Sequence, residues 1–238
     1  MASTSPIASR PWQEVYRDLR NRIDAGELAP GAGLPTLAAL ATERALTTHG
    51  ARRVMERLRD EGRVDSWPGF GYRVSPPRVA YRIDKQPSFS KTLSRSSRNG
   101  STRLIGSRTV ALPADLARDM RVRTGTRVLQ TELVRSINGV DAVIAHNHFP
   151  LPRFAGIEAT LASTGSVSLA LAAKGVARYE RRATRIGARM PSGYEALLLG
   201  IPRSQPVVVT VGINVDESGD PVEVSQSISR ADCVSLEV

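Results

Sequence analysis

Apolar residues in Trp12–Ile23 fall at positions 12, 15, 16, 19 and 23, the three- and four-residue spacing of an amphipathic helix. Gly26, Pro30 and Gly31 stop that helix. Leu34-Pro35-Thr36 opens a short second helix through Arg44, and a third follows Thr47 and runs to Glu61, ended by Gly62. In the third, Ala51, Val54, Met55 and Leu58 form the inward stripe. Thr47 is the expected N-cap, and Thr48, His49, Arg52 and Arg53 remain on the outer side. The pattern then becomes that of a hairpin: Arg63–Ser66, a turn over Trp67–Gly71, and Tyr72–Val74. Three helices followed by a glycine-pivoted hairpin is the order of a winged helix-turn-helix, which sets one helix in a DNA major groove and a loop beside it. Alone, the third helix would read as an ordinary surface helix; its flanking elements favour DNA.

Pro76-Pro77 closes this unit, because neither proline donates to a ladder and both stiffen the exit. Residues 78–88 read as an extended linker, Phe89–Leu93 as the start of a second domain, and Arg95–Thr102 as a polar, turn-forming stretch. Strands are expected over Thr102–Ala111, Arg127–Ile137, Val140–Phe149, Arg178–Met190, Val207–Val215 and Val222–Ser229, with Asn138-Gly139 marking a hairpin. Helices are expected over Pro113–Met120, Gly156–Leu161, Ser166–Lys174 and Ser192–Leu199. The fold class is α+β: an N-terminal winged helix, then a mainly antiparallel sheet with helices. The boundaries are a disordered tail at 1–10, a DNA-binding domain at 11–76, a linker at 77–88, and an effector-binding and dimerisation domain at 89–238.

Length and composition agree. At about 150 residues per domain, 238 residues suit two, and 41% apolar content supports a second core, aliphatic because aromatics reach only 5%. Cys233 is the one cysteine, so no disulfide forms within the chain, and a reducing cytoplasm fits. No segment approaches the roughly 18 consecutive apolar residues of a membrane helix, and residues 1–10 lack the apolar core of a signal peptide. The net charge of +10 favours a polyanionic partner, but its distribution matters more. Residues 1–76 carry 11 Lys and Arg against 9 Asp and Glu; residues 77–130 carry 12 against 3; residues 131–238 carry 10 against 11. The excess over 77–130 is either a solvated surface or a source of phosphate contacts or an anion pocket.

Residues 12–74 resemble the DNA-binding domain of the GntR superfamily of bacterial regulators. The matching residues are Tyr16, Ile23, Gly26–Gly31, Leu34-Pro35, Leu40-Ala41, Arg52-Arg53, Leu58, Glu61-Gly62, Gly69, Gly71 and Val74. Residues 89–238 resemble the UTRA effector domain of the HutC branch through Asn138-Gly139, Phe149-Pro150, Gly165-Ser166, and Glu223 to Asp232. Within that branch, Asn138–Val140, Thr184–Ile186 with Ala188-Arg189, and Ser229–Asp232 look most like the phosphonate-utilisation regulators.

The resemblance implies a chorismate-lyase-like fold, a homodimer on a palindromic double-stranded operator, and a small anionic effector such as a sugar phosphate or phosphonate, with neither cofactor nor metal. It implies DNA contacts from Thr47, Thr48, His49, Arg52, Arg53 and the wing Gly69-Phe70-Gly71, and effector contacts from Arg135, His146, Ser166, Arg181 and Glu223. Ser101 and Thr102, following Gly100, could add donors to the same anion, and the fork of Arg135 suits two oxygens. Arg135 and Arg181 read equally as surface strand residues, and Arg230 with Asp232 as a structural pair. Several usual contact positions differ, being Ala38, Thr47-Thr48, Gly50, Ser66, Trp67 and Phe70 here, which leaves fewer cationic contacts. The alternative is a small-molecule-binding or lyase-like enzyme whose helical domain does not bind DNA. Its chemistry finds little footing: His146 and His148 share a strand face but lack nearby ligands, and no phosphate-binding loop or nucleophile motif is present.

Overall fold

The computed structural model describes residues 11–76, 78–83, 85 and 99–237, so the expected tail at 1–10, the end of the expected linker, the domain start at Phe89–Leu93 and the first half of the polar stretch Arg95–Thr102 lie outside them. The chain divides into two compact units, Met1–Pro76 and Pro77–Val238.

In the first unit, α1 (Trp12–Asp24), α2 (Leu37–Glu43) and α3 (Thr48–Asp60) enclose a core of Val15, Leu19, Leu40, Ala51, Val54, Met55, Leu58 and Val64. Side-chain caps start α2 and α3: Thr36 accepts from Ala39 N at 3.2 Å and Thr47 from Gly50 N at 3.0 Å. Each cap satisfies a helix donor that would otherwise lack a partner, a contribution of about 1 kcal/mol. The wing is β1 (Val64–Trp67) antiparallel to β2 (Gly71–Val74). The chain after Pro30 extends this hairpin, since Gly31 and Leu34 N donate to Val74 and Tyr72 O.

In the second unit, six antiparallel strands form one sheet: β4 (Gly100–Ala111), β5 (Arg127–Ile137), β6 (Val140–Pro150), β7 (Tyr179–Arg189), β8 (Val207–Asp216) and β9 (Pro221–Arg230), ordered β4-β5-β6-β9-β8-β7. Helices cover both faces. α5 (Ile157–Thr164) and α6 (Val167–Ala173) pack on Leu129, Leu133, Ala145 and Phe149. On the other face α4 (Ala114–Met120) packs on Val128, Ile213 and Val224, and α7 (Gly193–Leu199) on Val134, Ile144 and Ile228. Arg230 bonds Asp232 at 2.6 Å and the carbonyl of Leu199, so this pair is structural, as expected.

One region differs from the sequence reading. The stretch taken as a linker contributes β3 (Val79–Arg82), which pairs in parallel with β10 (Val234–Glu237). Val79, Cys233 and Val234 pack with Ile137, Val140, Ala142 and Val143, so the pairing is backed by apolar burial against the main sheet. The amide of Arg181 also donates to Lys85 O at 2.7 Å.

Candidate functional site

The outer side of α3 is built as the sequence predicts. Thr47, Thr48, His49, Arg52 and Arg53 are exposed, while Ala51, Val54, Met55 and Leu58 are fully buried. Two details refine it. The guanidinium of Arg53 sits 4.6 Å from the centre of the Trp12 ring, so this cation is held back against α1. Arg52, among the described residues, has no ion-pair partner. Gly50 is buried rather than groove-facing: a Cβ there would stand 3.3 Å from Thr47 Oγ1 and 3.7 Å from Trp12 Cβ. The tight neighbour is the capping hydroxyl of Thr47, whereas Trp12 stands at ordinary contact distance, so the glycine leaves the cap of α3 undisturbed.

At the wing tip Gly69 and Gly71 take φ of +78° and +67°, which presents Phe70 outward, with Arg73 over its ring at 4.8 Å. Most other cations of this unit are neutralised locally, Arg22 by Glu27, Arg44 by Asp18, Arg57 by Glu61, and Arg63 by Asp24 and Glu61.

The second unit contains a cavity of about 1050 Å³, its open mouth included. Its floor is the sheet face that carries Arg135, Asn147, Glu223, Ser225, Ser227, Thr210 and Asn214. The turn Gly165–Ser168, Thr102 and Tyr179 bound it on one side, and Val79 and Tyr81 of β3, Ile83 just after it, and Val234 and Leu236 of β10 on another. Gly165 runs close over β4: a Cβ on it would meet Thr102 Cβ at 2.8 Å, on a backbone with φ of +64°. Ser166 caps α6, accepting from Leu169 N at 3.3 Å, and Ser168 shares a 2.8 Å hydrogen bond with the Tyr179 hydroxyl.

Arg181 is fixed by Nε donating to Asn214 Oδ1 at 2.7 Å and Nη1 to Thr184 Oγ1 at 3.3 Å. Asn214 Nδ2 donates to Glu223 Oε2 at 2.5 Å. Burial pushes the Glu223 carboxyl above the usual range, opposed by Arg181, the Asn214 hydrogen bond and Arg135. Two arginines thus line the cavity beside one buried acid, so its cations outnumber its carboxyl and suit an anion. Burial likewise raises the Tyr179 hydroxyl, so it remains a neutral donor.

Of the expected effector residues, the cavity brings together Thr102, Arg135, Ser166, Arg181 and Glu223. It does not include Ser101 or His146. Alternation along β4 turns Ser101 away from its neighbour Thr102. His146 lies on the opposite face of the sheet, 2.8 Å from Glu132 Oε1, in a separate recess with Arg108 and Tyr194. Tyr194 donates to the other oxygen of Glu132 at 2.7 Å. His148 shares the His146 face; its Nδ1 is 3.2 Å from Val224 O, and burial holds its pKa low. Among the described residues no group of three His, Cys, Asp or Glu is placed to hold a metal.

Sequence reading missed Asn147, the β9 row Ser225, Ser227 and Ser229, and the walls from β3 and β10. The serines were legible as a period of two on one strand.

Comparison with known proteins covers both units. Residues 11–74 match the model of bacterial regulatory proteins of the gntR family, and residues 95–235 match the UTRA domain. The HTH-type transcriptional regulator RB1450 of Rhizobium meliloti (strain 1021) is 32% identical over 228 residues, 95% of this chain and 93% of the relative. The transcriptional regulator PhnF of Escherichia coli (strain K12) is 27% identical, over 94% of this chain and 90% of its own. The crystal structure of PhnF from Mycobacterium smegmatis aligns with a TM-score of 0.62 at 22% identity, over 94% of this chain and 97% of that one, a likeness of fold.

Proposed function

This chain belongs to the GntR family of bacterial regulatory proteins, carries a UTRA domain and is a DNA-binding transcriptional regulator rather than an enzyme, and we propose that it is a cytoplasmic, homodimeric repressor released from DNA by a small organic anion. The convergence of Arg135 and Arg181 beside the buried Glu223 is the observation that carries the effector class. The described residues contain no helix long and apolar enough to cross a membrane.

In this reading Thr48, His49 and Arg52 meet base edges and phosphates, and the wing turn Gly69-Phe70-Gly71 lies in the neighbouring groove. Thr47 serves mainly as the cap, and Arg53 contributes less than Arg52 because Trp12 holds its guanidinium. A two-fold dimer reads a palindrome, since one helix reads only a few base pairs. The anion is clamped by Arg135 and Arg181, with Thr102 and Ser166 as hydroxyl partners at the cavity edge.

Coupling follows from the cavity wall. β3 begins three residues after Pro76, where the first unit ends. An occupant that touches Val79 and Tyr81 acts on the segment that leads to the DNA-binding unit. It shifts the conformational equilibrium only by its differential affinity for the two states.

The test is a gel shift with DNA upstream of the chain's own gene, with the double variant Arg52→Ala/Arg53→Ala as control. A shift abolished in the control and relieved by an organic phosphate or phosphonate is expected. No shift at low salt removes the DNA reading. Relief that persists in Arg135→Ala removes the cavity assignment.

A further inference from the structure

Asn147 occupies the centre of the cavity floor, on β6, and is fully buried. Its Nδ2 reaches Thr131 Oγ1 at 3.4 Å, and its Oδ1, buried as well, has no hydrogen-bond partner among the described residues. A buried amide left half-satisfied costs stability without a structural return, and native proteins keep such atoms where something else completes them. The neighbours on the floor are small hydroxyls: Ser225 pairs with Asn147 across β6–β9, and Ser227 and Thr210 line the next row.

The register also fixes how far this atom is from the cationic end. Asn147 pairs with Ser225, and Ser225 with Gly212, over which the Arg181 guanidinium lies. Two strand spacings, about 10 Å, separate the two backbones. After the side chains and their hydrogen bonds are allowed for, about three or four ligand atoms span the gap.

We infer that Asn147 is a specificity-determining residue: its unmatched carboxamide atom selects an organic anion that carries a hydroxyl a few atoms from its acid group, and discriminates against bare anions. A hydroxyl fits because it can donate to Oδ1 and exchange hydrogen bonds with the serine row. Inorganic phosphate held by the arginines alone brings no donor to that amide oxygen. This inference rests on the anion reading of the cavity proposed above.

The test uses the full chain and matched probes: inorganic phosphate, propylphosphonate, 3-hydroxypropylphosphonate and 3-aminopropylphosphonate, with affinities by calorimetry. The wild type is expected to bind the hydroxyl probe about tenfold more tightly than the propyl probe, the size of one net hydrogen bond to a buried acceptor. Asn147→Leu is expected to bind the two equally, with an unliganded melting temperature no lower than that of the wild type, because it removes an unmatched polar atom. Should that variant fail to fold, Asn147→Ala carries the same comparison. Equal binding of the hydroxyl and propyl probes by the wild type, with both lost in Arg135→Ala, overturns the role of Asn147 and leaves the cavity reading intact. Tighter binding of the amino probe than of the hydroxyl probe overturns the hydroxyl class. Binding of none of the four overturns the anion reading and this inference with it.

Discussion

The guanidinium of Arg181 lies where a side chain at residue 212 would stand, since a Cβ built on Gly212 would be 1.7 Å from Nη1. Gly212→Ala is therefore expected to push that cation off the floor while changing no charge. Effector affinity should fall about tenfold or more, the loss of one charge-assisted contact, with effector-free DNA binding unchanged in a gel shift. A second residue-scale case is Glu195, whose carboxyl is lowered to about 2, first by the Arg189 pair at 2.7 Å and then by the Ser192 amide that closes the capping box of α7. A depressed carboxylate stabilises the fold above its unfolded pKa and loses that contribution as pH falls through the folded value. The window is from about pH 4.5 down to about pH 2. Glu195→Gln should lower stability at neutral pH by about 1–2 kcal/mol, less than the full shift implies because Arg189 is partly open to solvent. In melting curves against pH the two proteins should converge toward pH 2.

At the scale of elements, α3 and the wing were legible because local chemistry announces them: a threonine cap, a 3.6-residue stripe, and a glycine on each side of Phe70. The six-stranded sheet was legible from the Asn138-Gly139 turn and from apolar runs of strand length. What escaped was set by non-local pairing. β3 and β10 are four residues each and stabilise one another only across the whole second unit, so neither carries a signal of its own. That His146 lies on the opposite sheet face from the cavity while Asn147 lines it was hidden for a related reason. With helices on both faces, β6 is buried almost throughout, and alternation no longer tells which residues face the cavity. A shift of one residue exchanges the faces. The wall built by β10 gives its own prediction: Leu236→Asp should weaken effector binding by placing a negative charge beside the anion, while the winged-helix unit keeps its DNA affinity. Titration of the effector into a preformed DNA complex checks both.

For the molecule as a whole, the first unit nets only two positive charges, 11 against 9, and its arginines away from the α3 N-terminus are largely paired. Few condensed cations can then be released per bound unit, so log affinity against log salt should be shallow. Arg52→Ala should flatten it by about one further charge, and Arg53→Ala by less, because Trp12 already engages that cation. Linkage adds a reciprocal expectation: whatever factor the effector takes from DNA affinity, operator DNA must take from effector affinity, measurable by calorimetry with and without the duplex. The parallel pairing of β3 with β10 has one more consequence, in the order of assembly. Val79 meets Val234 across about 150 residues of chain, and contacts so distant in sequence form late. A ribosome-bound chain can complete its DNA-binding unit long before the strand that closes the cavity has been made. For that interval the nascent chain carries a folded winged helix while the unit that follows still lacks one wall of its cavity.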